Sequence, residues 1–219
     1  MIDVLVPVLG RPLFDMLRTL EASTSEPFQV FLICSPGDSQ VRACQNSGYT
    51  TWIVPWEPGR ADFARKINWA FARTSGEWIF QGADDIRFSA AWDVEALRVA
   101  ERYGASVVGT NDLHNPSVKA RIHSTHTLFR RSYIEEYGGT FDGSGVVFSE
   151  AYDHQFVDNE FIELAKMRGQ WAFAQRSLVE HLHPVWGLAE WDPTYEKAFR
   201  ETSEDTALFA SRMRLLRAR

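Results

Sequence analysis

Gly76-Glu77-Trp78-Ile79-Phe80-Gln81-Gly82-Ala83-Asp84-Asp85 sets a turn, a short apolar run and two adjacent carboxylates in direct succession. The run at 78–81 reads as a buried strand that Gly82-Ala83 closes, with Gly76 capping the helix before it. Ligands of open α/β sheets bind beyond the carboxyl ends of the strands, which is where Asp84 and Asp85 fall. Neighbouring carboxylates repel, and a hard divalent ion such as Mg2+ or Mn2+ supplies the compensating charge. Successive strand side chains point opposite ways, so the two acids are expected to differ in role. A cap or turn beside a solvated charge is the simpler alternative for the dipeptide taken alone.

On the N-terminal side, apolar runs at 2–8, 28–34 and 50–54 read as buried strands. Between them lie a helix with Pro12 in its first turn and Leu13, Leu17 and Leu20 at helical spacing, a short helix at 38–47, and a helix at 61–73 with Phe63, Ile67, Ala70 and Phe71 on one face. Beyond Asp85 come a helix at 89–103 and a strand at 105–109. This alternation predicts a parallel α/β sheet. After Thr110 the pattern loosens. A strand is expected at 123–129, a short helix at 132–137, a helix opening at Asp153 or Asp158 and running to Arg168, and short strands at 171–174 and 178–182. The remainder, from about Pro193, is polar and helical. Its basic end, Arg212, Arg214, Arg217 and Arg219, reads as a solvated helix terminus.

Composition narrows the classes. With 219 residues and 45% hydrophobic content, the chain is too apolar for disorder and large enough for a full core. Two cysteines exclude a disulfide framework. No apolar run approaches a membrane span, and the first residues lack the basic region of a signal peptide, so a cytoplasmic location is expected. The net charge of −6 argues against a dedicated duplex-DNA binder. The 8 tryptophans fit either a Trp-rich core or faces that stack on flat or sugar-like ligands. In Glu180-His181-Leu182-His183-Pro184, a strand would put both imidazoles on one face, a donor pair that suits Mn2+-like ions better than Mg2+.

Residues 64–72 together with 76–85 resemble glycosyltransferase family 2, which has an Arg/Asn-bearing helix, a Gly-Glu-aromatic turn, an apolar strand and an Asp-rich metal motif. Val6-Pro7-Val8 with Arg11-Pro12 is similar to that family's first strand and turn. His126-Thr127-Leu128-Phe129-Arg130-Arg131 with Tyr137-Gly138-Gly139 is similar to its acceptor segment, and Asp158-Asn159-Glu160-Phe161 to its acidic helix start. The likeness spans about residues 2–185 and extends to the short glycosyltransferase-like proteins of actinobacterial phages, for which the host cytoplasm would be the location.

The resemblance implies a GT-A-like α/β fold: a mostly parallel, Rossmann-like central sheet flanked by helices, with a smaller acceptor-side subregion. It implies one domain over 1–219, with a nucleotide-sugar-binding half at 1–110, an acceptor and metal half at 111–190, and a helical segment at 191–219. The implied activity is metal-dependent transfer of a hexosyl or pentosyl unit from a nucleotide-diphosphate sugar to an acceptor hydroxyl, with inversion. Pro7, Val8, Arg11, Ser35, Asp38, Asp62, Lys66, Asn68 and Asp84 would bind the donor. Asp85 would hold Mn2+ or Mg2+ with His183 or His181, His183 being preferred because Pro184 turns the chain away. Asp158, or else Glu160, would be the base. His126, Tyr152 and Trp186 would meet the acceptor, for which a protein, glycan, lipid or modified DNA base would all fit. Two departures stand out: Gly82 replaces the family's usual first Asp, and the base-reading acid falls near Ser35, with Asp38 three residues on. The alternatives are a nucleotidyltransferase or other nucleotide-sugar-using enzyme on a related fold, and a non-catalytic nucleotide-sugar-binding module.

Overall fold

The structure, a computed structural model, describes residues 1–200 and 202–217. In chain order the elements are β1 (Ile2–Pro7), α1 (Phe14–Ser23), β2 (Phe28–Cys34), α2 (Val41–Asn46), β3 (Thr50–Ile53), α3 (Asp62–Phe71), β4 (Trp78–Gln81), β5 (Ile86–Phe88), α4 (Trp92–Tyr103), β6 (Val107–Asn111), α5 (Pro116–Lys119), β7 (Thr127–Arg130), α6 (Arg131–Tyr137), α7 (Val157–Met167), β8 (Trp171–His181), α8 (Pro193–Arg200) and α9 (Thr202–Arg217). The strands form one sheet in the order β3-β2-β1-β4-β7-β6-β8-β5. Strands β1 to β4 pair in parallel, as their unbroken apolar runs predict.

The sheet is mostly parallel, as expected: β6 also pairs in parallel with β8, so four of its seven strand pairs among the described residues are parallel and the other three make it a mixed sheet. β7 runs antiparallel to both β4 and β6, and β5 runs antiparallel to β8. Two details escaped the sequence pattern. The three-residue β5 follows Asp85 directly and is too short to show a period. The two short strands expected after Gly169 are one strand, β8, with an irregularity at the exposed Gln175 and Arg176: Gly109 faces Phe173, but Asn111 faces Leu178.

Alternation along β1 builds the two sides of the core. Ile2, Val4 and Val6 pack under α1 and α4 with Leu20, Trp92 and Ala96. Leu5 packs on the other side with Ile67 and Phe71 of α3 and Phe161 of α7. Asp3, on that second side, is buried, and its Oδ2 accepts the N–H groups of Ser75 (3.1 Å) and Gly76 (2.5 Å). A Cβ on Gly76 would stand 2.5 Å from this carboxylate. Gly76 is therefore demanded by close approach, and α3 ends earlier, at Ala72. The tryptophans are mostly structural. Trp92 is fully buried with its Nε1 on Thr24, and Trp52, Trp56 and Trp69 pack edge to face over α3.

The C-terminal helix is no solvated tail. Arg212 lies between Glu160, Asp142 and Thr140, donating to Glu160 Oε2 at 2.6 Å and to Asp142 Oδ1 at 2.9 Å. Asp205, also on α9 and 1% exposed, accepts the successive N–H groups of Asp153, His154 and Gln155 at 2.8–2.9 Å. Arg214 is exposed. The side chain of Arg217 and the whole of Arg219 lie outside the described residues. Removing one partner of a buried ion pair strands the other charge. Arg212→Ala should therefore lower unfolding free energy by about 3–5 kcal/mol in urea titration; a loss below about 1 kcal/mol would show that Glu160 does not depend on it.

Candidate active site

Asp84 and Asp85 follow the end of β4, and the structure gives them different surroundings. Asp84 is saturated. Its Oδ2 accepts Leu9 N–H at 2.7 Å, and its Oδ1 accepts from Arg11 Nη1 at 2.9 Å. Burial and the neighbouring Asp85 push its carboxyl up to about 6, against the pull of Arg11. Asp85 faces the cleft, with His181 Nε2 3.2 Å from its Oδ2 and the Tyr195 hydroxyl donating to that same oxygen. Burial opposes its charge, but His181, then Arg11 and Tyr195, hold its carboxyl well below the usual carboxylate range. Among the described residues Asp85 Oδ1 has no hydrogen-bond partner.

Strand register brings the histidines here. In the antiparallel pair of β5 and β8, Ile86 faces His181, so the imidazole arrives one residue past Asp85, and Leu182 N–H donates to Asp85 O at 2.8 Å. In the pair of β4 and β7, Gln81 faces Thr127, so His126 lies just beyond the end of β4. Asp85, His126 and His181 thus present ligand-capable atoms within 4.8 Å of one another. His126, expected beside an acceptor, belongs to this cluster. His183, the preferred metal ligand from sequence, lines the same cleft but spends Nδ1 on Val185 N–H, starting a 3₁₀ turn at Pro184–Trp186. Burial, reinforced by His181, lowers both His126 and His183 to about 4. Burial would also lower His181, but Asp85 more than offsets it and holds His181 above an ordinary histidine.

Asp158 lines the same cleft from the first turn of α7. Phe156, just before the helix, adopts φ 67°, a left-handed conformation costly for an aromatic residue. The Asp205 carboxylate that grips the preceding loop holds it there. His123 Nε2 stands 3.2 Å from Asp158 Oδ2. Burial works to raise the Asp158 carboxyl, but His123 overrides it and the net shift is downward, so Asp158 is ionised at neutral pH. Glu160 lies elsewhere. It is buried, takes hydrogen bonds from Thr140, Tyr152, Phe141 N–H and Arg212, and does not line the cleft. Its carboxylate has no capacity left for a substrate proton.

The remaining expected residues divide. Three adjoining cavities of about 160, 280 and 270 Å³ share Leu9 and Thr194, making one trough over the ends of β1 and β4. Arg11 lies at the acidic end, and Val8, Ser35, Asp38, Asp62 and Lys66 line the far end. Lys66 is buried, 2.7 Å from Asp62 and donating to Val8 O at 2.9 Å, so it shapes that end from beneath. Asn68 instead brackets the backbone of Val147 and Phe148. Tyr152 is buried on Glu160, and Pro7 and Trp186 line none of the three cavities. Sequence gave no warning of Asp192 and Tyr195. Asp192 Oδ2 accepts from Arg11 Nε at 2.8 Å, and the Tyr195 ring lies 3.9 Å from the Arg11 guanidinium carbon, so the start of α8 roofs the acidic end. These residues sit in a polar segment with no motif, and only the tertiary fold shows where they go.

No family model matches the chain, and no curated protein matches it. Solved structures do. A mannosyltransferase from Pyrobaculum calidifontis, in complex with GDP-Man and Mn2+, superposes with a TM-score of 0.63 at 15% identity, over 83% of this chain and 57% of that one. This chain has the GT-A fold. That bears out the architecture implied by the family resemblance. TarS of S. aureus in complex with UDP-GlcNAc gives a TM-score of 0.62 at 13% identity, over 91% of this chain and 64% of that one. Glucosyl-3-phosphoglycerate synthase from Mycobacterium tuberculosis, with Mn2+, UDP and phosphoglyceric acid, gives 0.57 at 13% identity, over 90% and 73%. The chain spans less than two thirds of the length of the first two.

The electrostatics of the cleft can be read directly. At about pH 5.5, where a free histidine is mostly protonated, His126 and His183 should be neutral and His181 charged. Long-range 1H–15N spectra of the rings, recorded with EDTA present, check this. A His126 midpoint near the ordinary histidine value would contradict the burial that the structure gives it.

Proposed function

We propose that the chain is a metal-dependent glycosyltransferase that moves a sugar from a nucleotide-diphosphate sugar to an acceptor hydroxyl. The observation that carries this is the meeting, in one cleft of a GT-A fold, of Asp85, His126 and His181 with the ionised Asp158. The buried Asp85 Oδ1 and His126 Nε2, both without partners among the described residues, suit a divalent cation. Such an ion, when bound, would offset charge developing on the leaving diphosphate.

The chain's own groups then divide the work. Arg11, bridging Asp84 and Asp192 at the acidic end, is placed to take phosphate oxygens. The far end of the trough, at Ser35, Asp38 and Asp62, would receive the nucleoside. Asp158 accepts the acceptor hydroxyl's proton as that oxygen attacks the anomeric carbon. The bond from that carbon to the diphosphate oxygen breaks, and the nucleoside diphosphate leaves with the electron pair. Attack opposite the leaving group inverts the anomeric centre. The part of His123 in this step is to hold Asp158 in place and ionised.

A thermal-shift panel of UDP, GDP, CDP and TDP with Mn2+ tests the donor assignment. At a hundredfold excess over Kd one of them should raise Tm by roughly 5–10 °C, and EDTA should abolish the rise. Asp85→Ala should lose the shift. Asp158→Asn should keep it while slowing transfer by about 100-fold or more. No shift with any of the four overturns the donor assignment. Full turnover by Asp158→Asn moves the base elsewhere, and donor binding with no transfer to any class of acceptor favours a binding module.

A further inference from the structure

Lys119 and Arg121 are cations that the fold leaves without a counter-charge. Neither side chain has a hydrogen bond or an ion pair among the described residues, in a chain of net charge −6. Both line one cavity of about 240 Å³, to which Gln175 of β8 adds an amide and Val118 and Phe173 add apolar surface. That volume is below the roughly 300–1,000 Å³ of a pocket for a whole small molecule, so it fits one group of a larger one. The segment carrying the two cations is fixed. Asp112, buried, accepts the N–H groups of His114 and Asn115 at 3.0 Å each and the Thr125 hydroxyl at 2.8 Å. Asn115 caps α5 through Ser117 N–H at 2.9 Å, and Arg121 N–H returns to Val118 O at 2.8 Å. Leu113 and Arg121, both on the cavity, adopt φ 70° and 61°, backbone that is costly for non-glycine residues. The acids beside the segment are already engaged: Asp112 by those donors, and Glu180 by His114 at 3.0 Å and Arg87 at 3.2 Å.

We propose that Lys119 and Arg121 form a subsite for an anionic oxygen group, a phosphate monoester or a carboxylate, carried by the acceptor. That the anion belongs to the acceptor rests on the transfer reaction proposed above; that the cavity takes an anion does not. The chemistry favours such a group. A guanidinium donates in a planar fork that matches carboxylate and phosphate oxygens, and an ammonium adds a point charge. Two cations on one cavity repel each other until an anion sits between them. The position favours the acceptor. Two residues beyond Arg121, His123 Nε2 stands 3.2 Å from Asp158 Oδ2. Cα atoms two residues apart lie within about 7 Å, so the cations adjoin the residue that holds the candidate base. The donor trough lies elsewhere, because none of the three cavities that form it includes a residue of 113–123. An acceptor whose hydroxyl meets Asp158 can therefore rest its charged group on this segment without entering the space of the donor.

The test titrates the native chain with inorganic phosphate and with acetate, followed by 1H–15N spectra, against sodium chloride at equal ionic strength. Phosphate or acetate should shift the amides of 118–122 and the Gln175 side chain saturably, half-complete by about 10 mM, and chloride should not. The tighter of the two probes assigns the group as phosphate monoester or carboxylate. Arg121→Asn, which keeps the left-handed backbone at low cost, and Lys119→Gln should each weaken binding by about fivefold or more. Glucose, glucose 6-phosphate and glucuronate then probe the reach toward Asp158. The sugar bearing the preferred anion should bind at least about tenfold tighter than glucose and also shift the His123 ring. Shifts that chloride reproduces, or binding untouched by both substitutions, overturn the anion site and leave the donor assignment standing, since the nucleoside diphosphate panel decides that separately. Anion binding at these residues with no gain for either charged sugar over glucose overturns the acceptor role alone.

Discussion

Two adjacent carboxylates at the end of a buried strand cannot stand without positive charge and hydrogen-bond donors close by, and much of the chain is arranged to supply them. Asp84 takes a backbone N–H from Leu9 and a guanidinium from Arg11. Asp85 takes an imidazole from β8 and a phenol from α8. The compensation is unequal, and that inequality is the useful result. Each Asp84 oxygen already holds a hydrogen bond, whereas Asp85 Oδ1 has no partner among the described residues and Asp85 shares its cluster with two imidazoles. A motif that is symmetric in sequence becomes one acid tied to Leu9 and Arg11 and one with an oxygen to offer.

The second wall of the cleft depends on the C-terminal helix. α9 supplies Asp205, which gathers three successive backbone N–H groups just ahead of α7, and Arg212, which neutralises Glu160 inside α7. Both charges are spent on fixing the start of α7, where Asp158 emerges beside His123. Helix packing, buried charge and the position of the candidate base are thus one construction. Damage to α9, far along the chain, should be felt at Asp158.

Much of this was legible in the sequence, and the gaps have physical reasons. The parallel strands announced themselves because both of their faces are buried, which writes unbroken apolar runs at 2–8 and 28–34. Asp85 and Asp158 could be picked out because a strand end and a helix start have local signatures; of the alternating pair His181 and His183, the sequence favoured His183, whereas the imidazole beside Asp85 is that of His181. His126 was noticed but given another role, since its place beside Asp85 follows from the antiparallel register of β7 on β4, and register between distant segments leaves no local trace. Glu160 stood second to Asp158 as a candidate base from its helix position; what separates them further is hydrogen-bond saturation of Glu160 by Thr140, Tyr152 and Arg212. Tyr195 and Asp192 come from a segment whose polar composition says only that it is helical, and β5 is too short to display a period.

The most direct test is a crystal of the native chain grown with Mn2+ and the nucleoside diphosphate that binds best, measured at the manganese absorption edge. An anomalous peak bounded by Asp85, His126 and His181, with diphosphate density reaching toward Arg11, is the expected result. A peak elsewhere, or nucleotide density away from the trough that Leu9 and Thr194 share, would contradict the assignment of this cleft.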